Sequence, residues 1–126
     1  MGELKSITLF VFVLLIVSLS YAEETRLLRN PDISDSHIAF VYANDIWIAD
    51  LNGQNTKRLT SYRGTETEPH FSPDGKQIAF TAEYDGNTDV YLVPVEGGEP
   101  VRMTWHPEAD LVRGWSRDGR SIIFSS

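Results

Sequence analysis

The side chains with catalytic or metal-binding chemistry in this sequence are three histidines, His37, His70 and His106, together with many serines and carboxylates. Histidine zinc sites use closely spaced ligand pairs, about three to five residues apart. Here successive histidines are tens of residues apart, so neither a metal site nor a triad is expected from them. No Gly-x-Ser-x-Gly elbow occurs, and Ser72 and Ser116 precede turn sequences, where a hydroxyl bonds turn backbone. Asp85, Asn87, Asp89 and Glu96 match the acidic positions of a calcium loop, but Val90 stands where that loop needs glycine for its sharp turn. The stretch is therefore read as a solvated turn followed by a strand. With no cysteine, disulfides, thiolate ligands and cysteine nucleophiles are all excluded. No catalytic, cofactor-binding or metal-ligating residue is assigned, and no cofactor is expected.

Charge narrows the partners. Eleven Lys and Arg stand against 18 Asp and Glu, a net charge of −7, and no basic run is longer than Lys57-Arg58. Nucleic-acid binders draw most of their affinity from cations that displace counterions from phosphates, so nucleic acid is not an expected partner. Membrane contact is expected only through residues 1–22. There an apolar stretch from Ile7 to Leu19 follows Lys5 and leads into Ser20-Tyr21-Ala22. It is shorter than the roughly 20 residues that span hydrocarbon, and small residues at 20 and 22 suit signal peptidase. Cleavage after Ala22 and export to a bacterial periplasm or exterior are expected; an uncleaved anchor is the alternative.

The elements that must position the remaining residues come from a repeat. Phe71-Ser72-Pro73-Asp74-Gly75-Lys76-Gln77-Ile78-Ala79-Phe80 overlays Trp115-Ser116-Arg117-Asp118-Gly119-Arg120-Ser121-Ile122-Ile123-Phe124 without a gap, a shift of 44 residues. Asp45-Ile46-Trp47-Ile48 and Lys57-Arg58-Leu59-Thr60 recur at the same shift, as Asp89-Val90-Tyr91-Leu92 and Val101-Arg102-Met103-Thr104. A shortened first copy covers Ile33 to Phe40. A period in the 40s fits propellers or helical arrays, and the β-branched and aromatic runs favour strands. In Ser72-Pro73-Asp74-Gly75, proline sits where a turn fixes φ and glycine where positive φ is tolerated.

The second unit is expected to hold four strands, around His70–Ser72, Lys76–Ala82, Asp89–Val93 and Pro100–Met103. Four antiparallel strands in such a unit make one propeller blade. The fold class is therefore all-β, a partial β-propeller over residues 23–126, with units of about 26–64, 65–108 and 109–126. Ile78, Phe80, Tyr91, Trp47, Ile122 and Phe124 are expected in the core between blades. About 2.4 units are present, against four to eight in closed propellers, so the sequence is read as the N-terminal piece of a longer propeller. Thr65-Glu66-Thr67-Glu68, with Glu108 and Asp110, fall between blades, where carboxylates could draw cationic peptide groups to a central channel. A charged rim serving solubility is the favoured reading of them.

The Phe71–Phe80 phrase resembles the WD40-like PD40 repeat shared by TolB-type propellers, prolyl-oligopeptidase relatives and tricorn-type proteases. The run Leu28-Arg29-Asn30-Pro31-Asp32-Ile33-Ser34, then Ile38 to Trp47, Ala79 to Asn87 and Glu96-Gly97-Gly98-Glu99-Pro100, resembles the opening of bacterial tricorn-like proteases. Asp35-Ser36 departs from the glycine-containing turn of the other copies. The resemblance implies that further blades, a PDZ-like domain and a serine-peptidase domain share the parent chain, which is expected to form homo-oligomers. It implies a propeller that serves as scaffold and admits peptide substrates to catalytic residues outside this segment. Two other readings stay open: a non-enzymatic TolB-type propeller binding protein partners, and a small oligomeric propeller binding module.

Overall fold

The computed structural model describes residues 28–126; the proposed signal segment lies outside them. Among the described residues ten strands run in chain order: β1 (Arg29–Ile33), β2 (His37–Tyr42), β3 (Asp45–Asp50), β4 (Lys57–Arg58), β5 (Thr65–Phe71), β6 (Gln77–Tyr84), β7 (Asn87–Pro94), β8 (Val101–Arg102), β9 (Leu111–Trp115) and β10 (Ile122–Ser125). They form three antiparallel sheets, ordered β1-β2-β3-β4, β5-β6-β7-β8 and β10-β9. The first strands adjoin across sheets, β1 against β5 and β5 against β9. Among the described residues no helix is long and apolar enough to cross a membrane.

Alternation along the strands explains the stacking, because neighbouring side chains leave a sheet on opposite faces. In β6, Ile78, Phe80 and Ala82 pack on the first sheet with Val41, Ile46 and Ile48. Between them Ala79 joins Val90, Val112, Trp115 and Ile122 against the third sheet. Strand β6 is thus covered on both faces, which is why its run Ile78–Ala82 is apolar but for Thr81 and wholly buried.

Three expectations need correction. Trp47 is half-buried and outside the core clusters, its indole donating to Tyr42 O at 3.2 Å. The first strand of the second unit starts at Thr65, well before His70. Its polar residues hide a strand because the ladder to β6 is interrupted between Thr67 and His70, with Glu68 at φ 53°. Phe124 is 44% exposed, whereas its counterpart Phe80 is fully buried. Phe80 stacks on Tyr91, its cross-strand neighbour in β7, at 6.0 Å between ring centroids. Among the described residues β10 has a partner on one side alone, so Phe124 has no such neighbour.

Candidate functional site: two inter-blade joints

The hairpin turns joining the first two strands of the second and third sheets match bond for bond. Ser72 Oγ donates to Asp74 Oδ1 at 2.6 Å and accepts from the Gln77 amide at 3.0 Å; the Lys76 amide donates to Asp74 Oδ1 at 3.0 Å. Ser116, Asp118, Ser121 and Arg120 repeat this at 2.7, 3.0 and 3.1 Å. Gly75 and Gly119 close the turns at φ 69° and 70°, so the repeated glycines meet a backbone requirement. Pro73 occupies the position of Arg117, exposed in both. These hydrogen bonds hold Asp74 and Asp118 below the usual aspartate range, the serine hydroxyl being the largest cause in each. In the first sheet Ser34 does the work without glycine, its Oγ accepting from the His37 amide at 3.0 Å. The motif serines are thus committed to turn backbone.

The acidic residues between blades divide. Glu66 is fully buried, which removes it from both a channel and a solvated rim. Its Oε2 accepts from the Ile46 amide at 3.0 Å and, by a short contact, from the Thr60 hydroxyl; its Oε1 accepts from the Tyr84 hydroxyl, also closely. Ile46 and Thr60 belong to the first blade, Glu66 and Tyr84 to the second, so one carboxylate ties two sheets. Burial raises the Glu66 pKa; the Thr60, Tyr84 and Ile46 donors oppose that, and Asp45 adds to it. Burial and the adjacent carboxylate push the Tyr84 phenol upward, keeping it a hydrogen-bond donor.

Asp110, 44 residues on, is equally buried, yet neither carboxylate oxygen has a hydrogen-bond partner among the described residues. The backbone at the two joints is equivalent: the Glu66 amide donates to Asn44 O at 3.0 Å, the Asp110 amide to Thr88 O at 2.9 Å. The side chains differ. Aspartate is one methylene shorter, and the Thr104 hydroxyl, counterpart of Thr60, faces Asp89 Oδ1 at 3.4 Å while accepting from the Val90 amide at 3.0 Å. Asp89 is itself held by Arg102 at 2.6 Å, so the residue that matched a calcium loop is the buried half of an ion pair with a half-exposed arginine. Asp45 and Arg58 make the corresponding pair in the first blade at 3.5 Å.

Other polar groups complete the joints. Asp32 Oδ2 accepts from the Phe71 amide at 2.7 Å, Thr81 Oγ1 from the Val112 amide at 2.9 Å, and the Trp115 indole donates to His70 O at 3.0 Å. Glu68 pairs with Arg113 at 3.2 Å, leaving Glu108 as the exposed acid of the set. The three histidines are not brought together: His37 lies 3.9 Å from Asp50, His70 lies in β5, and His106 caps the Glu108 amide at 3.3 Å. At one end of the inner strands a cavity of about 470 Å³ opens among Asp32, Asp35, His70, Asp74 and Trp115. What the sequence did not reveal is the joint itself. Its trace was the Thr60/Glu66 spacing recurring as Thr104/Asp110.

Four-stranded antiparallel sheets stacked face to face, with their first strands side by side, define β-propeller blades. Residues 25–126 match the tricorn protease N-terminal β-propeller domain, and the chain belongs to that family. It is 37% identical over 100 residues to tricorn protease homolog 1 of Streptomyces coelicolor, covering 79% of this chain and 9% of that protein. With the tricorn protease of Thermoplasma acidophilum it shares 33% identity over 108 residues, 78% of this chain and 10% of that one. The chain thus spans about a tenth of these relatives. Among solved structures it is similar to the tricorn protease (TM-score 0.68, 32% identity, 79% of this chain and 11% of the other). It is also similar to TolB from Acinetobacter baumannii (TM-score 0.66, 28% identity, 79% and 26%).

Proposed function

We propose that this chain is the N-terminal propeller segment of an exported tricorn-like serine peptidase, serving as scaffold and as an access region for peptide substrates. Peptide hydrolysis belongs to another part of the parent polypeptide. Further blades and the peptidase domain are its partners in cis, and the parent assembles as a homo-oligomer. The observation that carries the reading is the division of labour inside the fold. The interior polar groups Glu66, Asp89, Thr60, Thr81 and Ser72 are engaged in sheet joints, ion pairs and turns. The inner strands meanwhile end in a cavity lined by Asp32, Asp35 and Asp74, suited to basic groups of a passing peptide. Export rests on the apolar N-terminal stretch.

The access role is tested in the full-length parent enzyme. Replacing Asp35, the lining aspartate outside the joint and turn bonds, by Lys should slow cleavage of long basic peptides while hydrolysis of a short chromogenic substrate stays unchanged. Equal rates on both substrates would remove the access role and leave a scaffold. The TolB likeness favours a second reading, a propeller that binds protein partners. A parent without peptidase activity on any peptide would select it.

A further inference from the structure

The two joints differ in one chemical respect. Glu66 has its donors, whereas Asp110, fully buried at the equivalent position, has no partner for either oxygen among the described residues. A buried carboxylate without hydrogen bonds is unfavourable enough that native interiors almost always satisfy it. We infer that Asp110 is the acceptor half of a second clasp, at the joint between the second and third sheets. Its donor is a side-chain hydroxyl that the same polypeptide carries eighteen residues after Asp110, two positions past Ser126 on a continued β10. The inference rests on the reading above that the third sheet is a blade continued in cis.

Register supplies the number. In the second blade Glu66 pairs with Ala82 across the ladder, and the Tyr84 hydroxyl, two residues beyond Ala82, reaches back to Glu66. The third sheet keeps that register: Ser125 pairs with Leu111 as Thr81 pairs with Thr67, and Ile123 with Gly114 as Ala79 with His70. Asp110 therefore stands opposite Ser126, and the counterpart of Tyr84 falls two positions further. The surface beside it suits a strand. Val90, Leu92, Met103, Trp115, Ile122 and Phe124 line a groove of about 320 Å³ between the second and third sheets, continuous with the joint already formed there. The occupant is thus a continued β10 that carries the hydroxyl at the Asp110 end, followed by a strand pair with apolar residues toward Val90 and Leu92.

The chain's own repeat provides the probe. Appending a copy of Glu83–Thr104 after Ser126 places the copied tyrosine eighteen residues after Asp110. The extension is expected to raise the unfolding midpoint by at least about 4 °C. Asp110→Ala, or phenylalanine in place of the copied tyrosine, should each remove much of that gain, and the two together no more than one alone. A gain insensitive to both changes would overturn the clasp while leaving the continued blade intact. No gain would overturn the continued blade and the clasp with it. If the extended chain does not fold, a synthetic Glu83–Thr104 peptide is titrated onto the unextended protein, followed by Trp115 fluorescence. The clasp requires the Tyr84→Phe peptide to bind at least about fivefold more weakly to the wild type and equally to Asp110→Ala. Equal affinities on the wild type, or no binding, would overturn it.

Discussion

The joint between the first and second sheets and the joint between the second and third share a backbone but not a chemistry. Amide donors at Glu66 and Asp110 bridge to Asn44 and Thr88 at nearly the same distance, and the same Asp–Arg pairs cross the outer strands. Yet one carboxylate has donors from both blades and the other has none among the described residues. The backbone repeat sets where the blades touch, and the donors within reach of each carboxylate set what holds them there.

The largest contrast is expected when the two acids are removed. Glu66→Ala strips an acceptor from three buried donors and leaves a cavity, so urea unfolding should show a loss of about 3–5 kcal/mol. Asp110→Ala in the same chain deletes an unpaired buried carboxylate and should be neutral or stabilising by up to about 1 kcal/mol. Losses of equal size at both sites would end the distinction between the joints.

Gly64 offers the next contrast. It precedes β5 at φ 141°, and a Cβ built there would lie 2.1 Å from Glu83 O and 2.9 Å from the Tyr84 ring. Gly64→Ala must therefore push the β6 end away from the clasp, costing about 2–4 kcal/mol. The residue at the matching place in the second joint is Glu108, which is exposed, and Glu108→Ala should stay within about 0.5 kcal/mol. Thermal unfolding of both variants separates the cases.

Tyr84→Phe isolates one donor. Tyr84 also packs edge-on against Tyr91 at 4.6 Å, and phenylalanine keeps that contact. Loss of the hydroxyl alone should cost about 1.5 kcal/mol, the scale of a hydrogen bond to a charged acceptor. In Glu66→Gln the same Tyr84 change should cost less, and a double-mutant cycle measures the difference.

Much of this architecture was legible in the sequence, and the part that was not has a physical reason. The 44-residue shift, the turn serines and glycines, and the apolar runs are local signals, and they place blades, hairpins and most of the core. Nothing in Thr65-Glu66-Thr67-Glu68 announces the burial of Glu66, and the stretch reads as a charged rim. The donors to Glu66 come from Ile46 and Thr60, in another sheet, and from Tyr84, eighteen residues away. The repeat predicts the face on which Phe124 lies, whereas its burial also needs the neighbouring strand. The same reasoning separates Asp89 from a calcium loop: its partner Arg102 comes from the neighbouring strand β8.

Acid should act on the joints in a direction that identifies Glu66. Burial raises its folded pKa above the ordinary glutamate value of 4.5, so folding favours the protonated form. That contribution to stability grows as pH falls from neutral through the folded pKa, is complete below about pH 4.5, and is lost as pH rises. The groups facing Glu66 are Tyr84 and Asp45, with Tyr91 against Tyr84 and Arg58 on Asp45; Asp45 is also raised by burial, against the pull of Arg58. The turn acids run the other way. Asp74 and Asp118 are lowered, so their contribution is present above the ordinary aspartate value of 3.8 and lost as pH falls through their folded pKa values. Between about pH 4.5 and 7, Glu66→Gln should therefore flatten the dependence of the unfolding midpoint on pH, by at most about 1.4 kcal/mol per unit. Asp74→Asn and Asp118→Asn should leave that window unchanged and act below it, equally, since their turns share every bond. An unaltered slope in Glu66→Gln would place the titrating group elsewhere, and Asp45→Asn would then be the variant that flattens it.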